Sequence, residues 1–558
     1  MAANKKGPAG GKGGKKKAGK AEARSERGVI NAAPAGSLDG KSGPGLWTRA
    51  WPIIAVAFLP WLIYFMTLNA GFVWDDHNLI EMQPDNPTVS DFGKLWVSDF
   101  WQKAEQKTGS QYYRPLTTTT FLIDQALYGK APRGYHATNI IIYSAVCVFA
   151  FLVMSELFGR RWLALMLALM FAANPAHTEN VAWVSGRTDL VCAAFMFAAL
   201  YVYLVADRKN DLRLFALSVA LFALSLFGKE MSITMPAVVA VHAFFKRGGW
   251  KAPILRAVPF ALAGAAYWVL HAAAATGTTP ENVYQTTPAY LLNIVRNVAL
   301  SVWHSLVPGG FDYLVTATRE EAAKYFATPQ DGALVFVIVI VALLAAAAVW
   351  STCKRKALIG FGLLSGLITV APVSGVIPIG VVYALRFLLI PSLFFTIALG
   401  AALKPLAGRN LTVMEFRAPW AGVVLAPAII AYIVVSMARV PDWKSDAALM
   451  LSVLDDKPNV SLAHFLAGNG LASERKPAEA LEHYYKAIEN RDRYPEAHYN
   501  LGVLLQRAGR VREAEQHYRK TLEEKPDYMP ARVALARLLQ ATGRHDQAVR
   551  IMREAPQN

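Results

Sequence analysis

The chain has 558 residues, 54% of them hydrophobic and only 17% charged, with a mean hydropathy of +0.28, a balance that excludes an ordinary soluble enzyme in favour of a polytopic membrane protein. The formal net charge of +17 is no nucleic-acid signal, because Lys5, Lys6, Lys12, Lys15, Lys16, Lys17, Lys20, Arg24 and Arg27 crowd a Gly/Ala-rich head without interleaved aromatics, so no nucleic-acid partner is expected. Cys147, Cys192 and Cys353 lack paired spacing, which argues against a disulfide framework or a thiolate metal site.

Residues 1–46 read as a disordered basic tail. The apolar run behind it lies too far from the start for a secretory signal and lacks a small-residue cleavage site. Its lysines keep the N-terminus in the cytoplasm, where anionic lipid would hold the tail close.

From 47 to 440 the chain reads as a transmembrane domain. Apolar runs predict eleven spans, near 51–69, 138–157, 161–174, 189–206, 212–227, 231–246, 253–273, 333–351, 357–371, 382–402 and 419–438. The turns holding Arg160-Arg161, Asp207-Arg208-Lys209, Lys246-Arg247 with Lys251, Lys354-Arg355-Lys356, and Lys404 through Arg417 then all fall on the cytoplasmic side. Several runs are shorter than the roughly 20 residues that a perpendicular helix needs, so they must tilt or lie partly in the interface. The apolar stretch 290–307 is read as interfacial or re-entrant, since counting it as a span would move Lys354-Arg355-Lys356 outside. An odd count leaves the C-terminus outside.

After a linker at 441–460, residues 461–558 carry about three copies of a 34-residue repeat. Ala480, Ala514 and Ala548 share one register, as do Tyr484, Tyr518 and Met552, then Gly468, Gly502 and Ala536, then His464, His498 and Arg532. Small residues let paired helices approach, and the aromatic or Met is expected to pack between neighbouring units. Leu501-Gly502, Gly509, Ala514, Tyr518 and Pro526 resemble the tetratricopeptide pattern, whose stacked units form a concave surface suited to extended peptides; a stabilising cap without a ligand is the plainer alternative. The predicted fold class is therefore all-α: a polytopic membrane helical bundle with an extracytoplasmic tetratricopeptide (TPR) α-solenoid.

With this topology the polar residues sort to one face. Asp75, Asp76, Arg114, His136, Asn139, His177, Glu179, Arg187, Asp189, Lys229, Glu230, Tyr383, Arg386 and Asp442 all lie outside or at outer span ends, as an outward-opening active site requires. Asp75 and Asp76, in Gly71-Phe72-Val73-Trp74-Asp75-Asp76-His77, follow the first span directly. The outer loop 70–135 carries Trp96, Phe100, Trp101, Tyr112 and Tyr113, which suit an interfacial position. Arg114 can fork two hydrogen bonds to a phosphate, or serve only as an interfacial anchor. His177 and Glu179 can hold a metal with Asp75, bind a phosphate-bound cation, or orient Asp75 through a hydrogen bond; two ligands are too few for zinc. Arg187 and Asp189 either contact substrate or pair to neutralise a helix end. Lys229, beside Glu230, and Arg386, beside Tyr383, can cradle an anionic lipid phosphate or snorkel to headgroups.

Taken together, these residues resemble the multi-spanning GT-C glycosyltransferases that use polyprenyl-phosphate sugars, most closely the transmembrane and tetratricopeptide-repeat O-mannosyltransferase type. The resemblance rests on Phe72-Val73-Trp74-Asp75-Asp76, Tyr113-Arg114-Pro115-Leu116, His136 with Asn139, His177-Thr178-Glu179 with Val181-Ala182-Trp183 and Gly186-Arg187-Thr188-Asp189, Lys229-Glu230, Arg386-Phe387 with Pro391-Ser392, and the repeats. It covers most of 50–558, with fewer repeats than the eukaryotic members carry. Inner loops and Ala-rich spans look bacterial, which implies an inner-membrane protein with periplasmic repeats.

The resemblance implies inverting transfer of a sugar from a polyprenyl-phosphate donor, held at the lipid surface, to a hydroxyl on a protein gathered by the repeats. It carries the catalytic role to Asp75 or Asp76, with Asp75 favoured. Arg114, Lys229 and Arg386 would neutralise the departing phosphate, and His177 and Glu179 would orient the base or recruit a divalent cation; no other cofactor is implied. Two other readings stay open: the same chemistry on a lipid or polysaccharide acceptor, and a non-catalytic TPR membrane scaffold. The scaffold has no use for boundary carboxylates, and a transporter would place its ionisable groups near mid-membrane.

Overall fold

A computed structural model of the chain describes residues 1, 46–83, 89–100, 112–275, 287–307, 357–376, 383–407, 410–413, 416–491 and 493–554. The predicted tail 1–46 and span 333–351, together with Cys353 and Lys354-Arg355-Lys356, lie almost wholly or entirely outside the described residues.

Ten of the eleven predicted spans coincide with helices. They are α1 (Leu46–Tyr64, continued as a 3-10 turn Phe65–Asn69), then, after the short α2 (Val89–Leu95) and α3 (Pro115–Tyr128), α4 (Pro132–Phe158) and α5 (Arg161–Ala172). Beyond a one-turn α6 (Thr178–Ala182) come α7 (Arg187–Lys209), α8 (Leu212–Gly228), α9 (Met235–Arg247) and α10 (Lys251–Ala274). The stretch expected to be interfacial is a 20-residue helix, α11 (Thr287–Leu306), and α12 (Ala357–Val370), α13 (Leu389–Leu403) and α14 (Trp420–Arg439) complete the bundle.

Local chemistry sets these ends. Pro115 and Pro132 open α3 and α4, where the missing N–H is no loss. Asp211 accepts from the backbone N–H groups of Arg213 and Leu214 and so caps α8, while Asn210 in the left-handed region closes α7.

Six helical stretches are long and apolar enough to cross a membrane, and Arg161–Ala172, Leu212–Gly228 and Ala357–Val373 are shorter apolar helices. At 1.5 Å per residue, a twelve-residue α5 reaches only about 18 Å, so it cannot cross the hydrocarbon alone. Burial separates centre from rim. The stretches at α7 and α13 are 72% and 78% buried within the protein, whereas those at α10 and α14 are 22% and 28% buried. Ile254, Leu255, Val258, Leu262 and Val269 on α10 face outward, an apolar surface suited to lipid contact.

One feature departs from the all-helical expectation: Asn410–Val413 pairs antiparallel with Phe416–Pro419, forming β1 and β2 between α13 and α14.

Residues 441–460, expected as a linker, are folded. A 3-10 turn Val440–Trp443 leads into α15 (Asp446–Asp456), whose first turn is capped by the Ser445 hydroxyl accepting from Ala448 N–H. Three helix pairs follow: α16 (Ser461–Ser473) with α17 (Pro477–Glu489), α18 (Pro495–Arg507) with α19 (Val511–Glu524), and α20 (Met529–Ala541) with α21 (His545–Arg553). The repeated aromatic packs against the small residue of its own unit, and Tyr484 also meets Asn500 of the next. A side chain at Gly468 would meet the Tyr484 ring at 2.7 Å, and one at Gly502 would meet Tyr518 at 2.7 Å. The repeats are not a free appendage, because Leu449, Met450, Val453, Ala463 and Ala467 share a core with Val73, Trp183 and Trp443.

Candidate active site at the repeat-bearing end of the bundle

The site is assembled from the loop after α1, the turns around α6, the α8–α9 junction and the segment before α13. Asp75 and Asp76 are neighbours with opposite surroundings. Asp76 is fully buried; one carboxylate oxygen accepts the Ser185 backbone N–H at 2.8 Å and the Ser185 hydroxyl, and the other accepts the Val73 N–H at 3.1 Å. Burial pushes its carboxyl up to about 7, against the pull of the Ser185 and Val73 donors, and the neighbouring Asp75 charge adds to the rise. Asp75 is half-buried and, among the described residues, takes no hydrogen bond. Burial raises its carboxyl above the usual range, and the Arg386 guanidinium partly offsets that rise.

The turn holding them is strained and pinned. Trp74 has φ +55°, which for a bulky L-residue costs on the order of 1–3 kcal/mol unless its surroundings fix it. Its N–H donates to Asp446 Oδ1 at 2.8 Å, and Gly71 N–H donates to the Lys444 carbonyl at 3.0 Å. His77 bridges Asp446, at 2.8 Å, and Glu81; the Asp446 bond above all raises its ring to about 9.

Arg386, whose charge acts on Asp75, belongs to a mixed set of buried and part-buried charges. Glu179 accepts the Arg386 backbone N–H at 3.1 Å and also its guanidinium. Lys229 gives Nζ hydrogens to both oxygens of Asp189, at 2.7 and 2.8 Å. Arg114 forks onto Glu230 at 2.6 and 3.2 Å and lies over the Tyr112 ring. The three cations are close enough to repel: Arg114 and Arg386 both help hold Lys229 below its usual range, after burial itself, while Asp189 opposes. Burial alone would lift Glu230, but Arg114 draws it down to about 2. Phe387 supplies a common floor, its ring 5.1 Å from Lys229 Nζ and 5.0 Å from the Arg386 guanidinium. Each cation keeps spare donors. Among the described residues, Arg386 spends only Nη1 and its backbone N–H, and Lys229 spends its hydrogens on one carboxylate.

Other predicted site residues build the scaffold. Arg187 and Asp189 do not pair with each other. Two positions apart on a helix, their side chains diverge by about 200°, and each finds a different partner. Arg187 is fully buried, 2.6 Å from Asp124, and donates to Asn139 Oδ1 and the Tyr135 carbonyl. Asn139 in turn donates to the carbonyls of Val181, Trp183 and Val184, fixing the turn that presents Ser185. His136 Nε2 meets the Gly71 carbonyl at 3.2 Å. The Tyr383 hydroxyl is hydrogen-bonded to His304.

His177 neither orients Asp75 nor stands open as a metal ligand. Its ring nitrogens are taken by Tyr143, at 2.8 Å, and Ser392, at 2.9 Å, and burial pushes the ring down to about 3, so it is neutral. Glu179 faces Arg386, and among the described residues no three His, Cys, Asp or Glu side chains converge as a metal site.

Asp124 and Asp446 escaped the sequence reading, which gives Ser185 no role of its own. Asp124 alone carried a local signal, as the single charge of α3. Gly186 is a further requirement of the fold, because a Cβ there would lie 2.8 Å from the carbonyl oxygens of Glu179 and Asn180.

Comparison with known proteins bears on what this arrangement serves. A tetratricopeptide-repeat family model matches residues 505–558. Protein O-mannosyl-transferase TMTC4 of Mus musculus is 25% identical over 500 residues, covering 79% of this chain and 66% of the relative. Protein O-mannosyl-transferase F38B6.6 of Caenorhabditis elegans is 24% identical over 457 residues, covering 80% and 63%, and the human TMTC4 is 34% identical over 213 residues, covering 34% and 29%. Coverage of 79% of this chain reaches far beyond the repeats into the bundle. The chain is a homologue of the protein O-mannosyl-transferases. It spans less than two thirds of the length of these relatives.

Proposed function

We propose that the chain is a membrane glycosyltransferase of GT-C type that moves a sugar from a polyprenyl-phosphate donor to a protein hydroxyl on the extracytoplasmic face, with inversion. One observation carries the reading: a half-buried carboxylate, Asp75, free of hydrogen bonds among the described residues, beside the Arg386 cation, which clusters with Lys229 and Arg114, each keeping spare donors. The names of the relatives support a protein acceptor and mannose as the sugar.

In this reading the acceptor hydroxyl lies against Asp75, whose carboxyl, raised by burial, is a better base near neutrality than a solvated one. The hydroxyl proton passes to Asp75, the acceptor oxygen bonds to C1, and the C1–O bond to phosphate breaks with its electron pair leaving on the lipid phosphate. Arg386, Lys229 and Arg114 stabilise that charge; their existing carboxylate partners hold them in place beforehand, so little reorganisation accompanies the step. A single displacement inverts C1. Asp76 holds the turn, and the repeats gather the acceptor.

The test is transfer by the purified full chain in lipid nanodiscs, supplied with radiolabelled polyprenyl-phosphate mannose and a membrane-protein extract. Label in protein, released by β-elimination, is expected. Label confined to lipid or polysaccharide, or none, would overturn the assignment.

A further inference from the structure

We propose that Asp446, the first residue of the helix leading into the repeats, is a positioning residue that holds the acidic turn in its working shape. The inference builds on the reading of Asp75 as base, but the clamp itself is observable without transfer.

Three contacts tie the two regions together across about 370 positions of sequence. Asp446 Oδ1 accepts the Trp74 N–H at 2.8 Å, Asp446 Oδ2 meets His77 Nε2 at 2.8 Å, and the Lys444 carbonyl accepts the Gly71 N–H at 3.0 Å. The bonded residues flank Asp75 and Asp76 on both sides. A tryptophan at φ +55° would relax toward ordinary backbone without an anchor, and that rotation would swing Asp75 away from Arg386. Apolar packing completes the joint. Trp183 stacks on Trp443 with ring centres 6.0 Å apart, lies 6.1 Å from Trp74, and donates its indole N–H to the Val73 carbonyl at 3.2 Å. Arg386 sits over the same Trp183 ring. The segment leading into the repeats therefore contributes directly to the wall of the site.

Hydrogen–deuterium exchange of the full chain in nanodiscs reads the clamp, since the Trp74 amide is itself one of its bonds. Asp446→Ala is expected to speed exchange across 71–81 by about tenfold or more while peptides from 132–158 and 495–524 keep wild-type protection. Asp446→Asn retains an acceptor for Trp74 and guards against a folding defect; it should fall between wild type and Asp446→Ala. In the transfer assay, Asp446→Ala should lower kcat about tenfold with donor KM changed less than about twofold, as a mispositioned base requires. Faster exchange in a preparation whose wild type transfers no sugar would uphold the clamp and sink the proposed reaction. Unchanged exchange at 71–81, or faster exchange with undiminished turnover, would overturn the positioning role.

Discussion

Asp76 receives both the backbone N–H and the hydroxyl of Ser185, joining the loop after the first helix to a turn 109 positions away. The two adjacent aspartates are thereby distinguished: Asp76 is spent on structure, and the proposed reaction uses Asp75.

Replacing Asp76 tests that division. Asp76→Asn puts an NH₂ group against N–H and O–H donors in a fully buried position, and should cost about 2 kcal/mol of stability. Asp75→Asn, which breaks no hydrogen bond among the described residues, should stay within about 0.5 kcal/mol. Thermal unfolding of the two variants in one detergent gives the comparison; equal losses would contradict it.

The Arg187–Asp124 pair makes a sharper demand. Asp124→Ala strands a fully buried guanidinium and should destabilise by about 3 kcal/mol or more, whereas the double change Asp124→Leu with Arg187→Leu should recover part of that loss. Folded yield after solubilisation, followed by unfolding, reads both.

His77 sets a pH dependence. Its ring is raised from an ordinary 6.5 to about 9, first by the Asp446 bond, so the charged pair contributes stability fully below about pH 6.5 and loses it as pH rises through about 9. The unfolding temperature should therefore fall across that window in the wild type and fall less in His77→Gln. Parallel curves would remove His77 from the account.

His177 is expected to behave as a packing residue. Its replacement by Ala breaks the bonds to Tyr143 and Ser392 and leaves a gap, costing about 2–3 kcal/mol. Turnover of the surviving protein should remain within about threefold of wild type, and chelation should affect variant and wild type alike. A chelator effect that vanishes in His177→Ala would revive the metal reading.

Much of this was legible before any coordinates. Apolar runs located the helices, charge asymmetry gathered the polar residues at one end of the bundle, and the 34-residue register found the helix pairs. Pairings were a different matter. Asp75 and Asp76 look alike in sequence because Ser185, which separates them, arrives only through tertiary packing. The Arg187–Asp189 pair failed on helical geometry that the spacing already contained, since side chains two apart on a helix point apart. His177 and Glu179 parted for a similar reason, one turning into the bundle toward Ser392 and the other toward Arg386. The supposed linker hid a helix because Ser445 and Asp446 form an N-terminal start signal that composition alone passes over.

The central claim is that Asp75 takes the acceptor proton. Its most direct test is single-turnover transfer from radiolabelled polyprenyl-phosphate mannose by wild type and Asp75→Asn, with donor binding measured separately on both. The account predicts a fall of about a hundredfold or more in the transfer rate with donor affinity retained. Wild-type transfer by Asp75→Asn would contradict it.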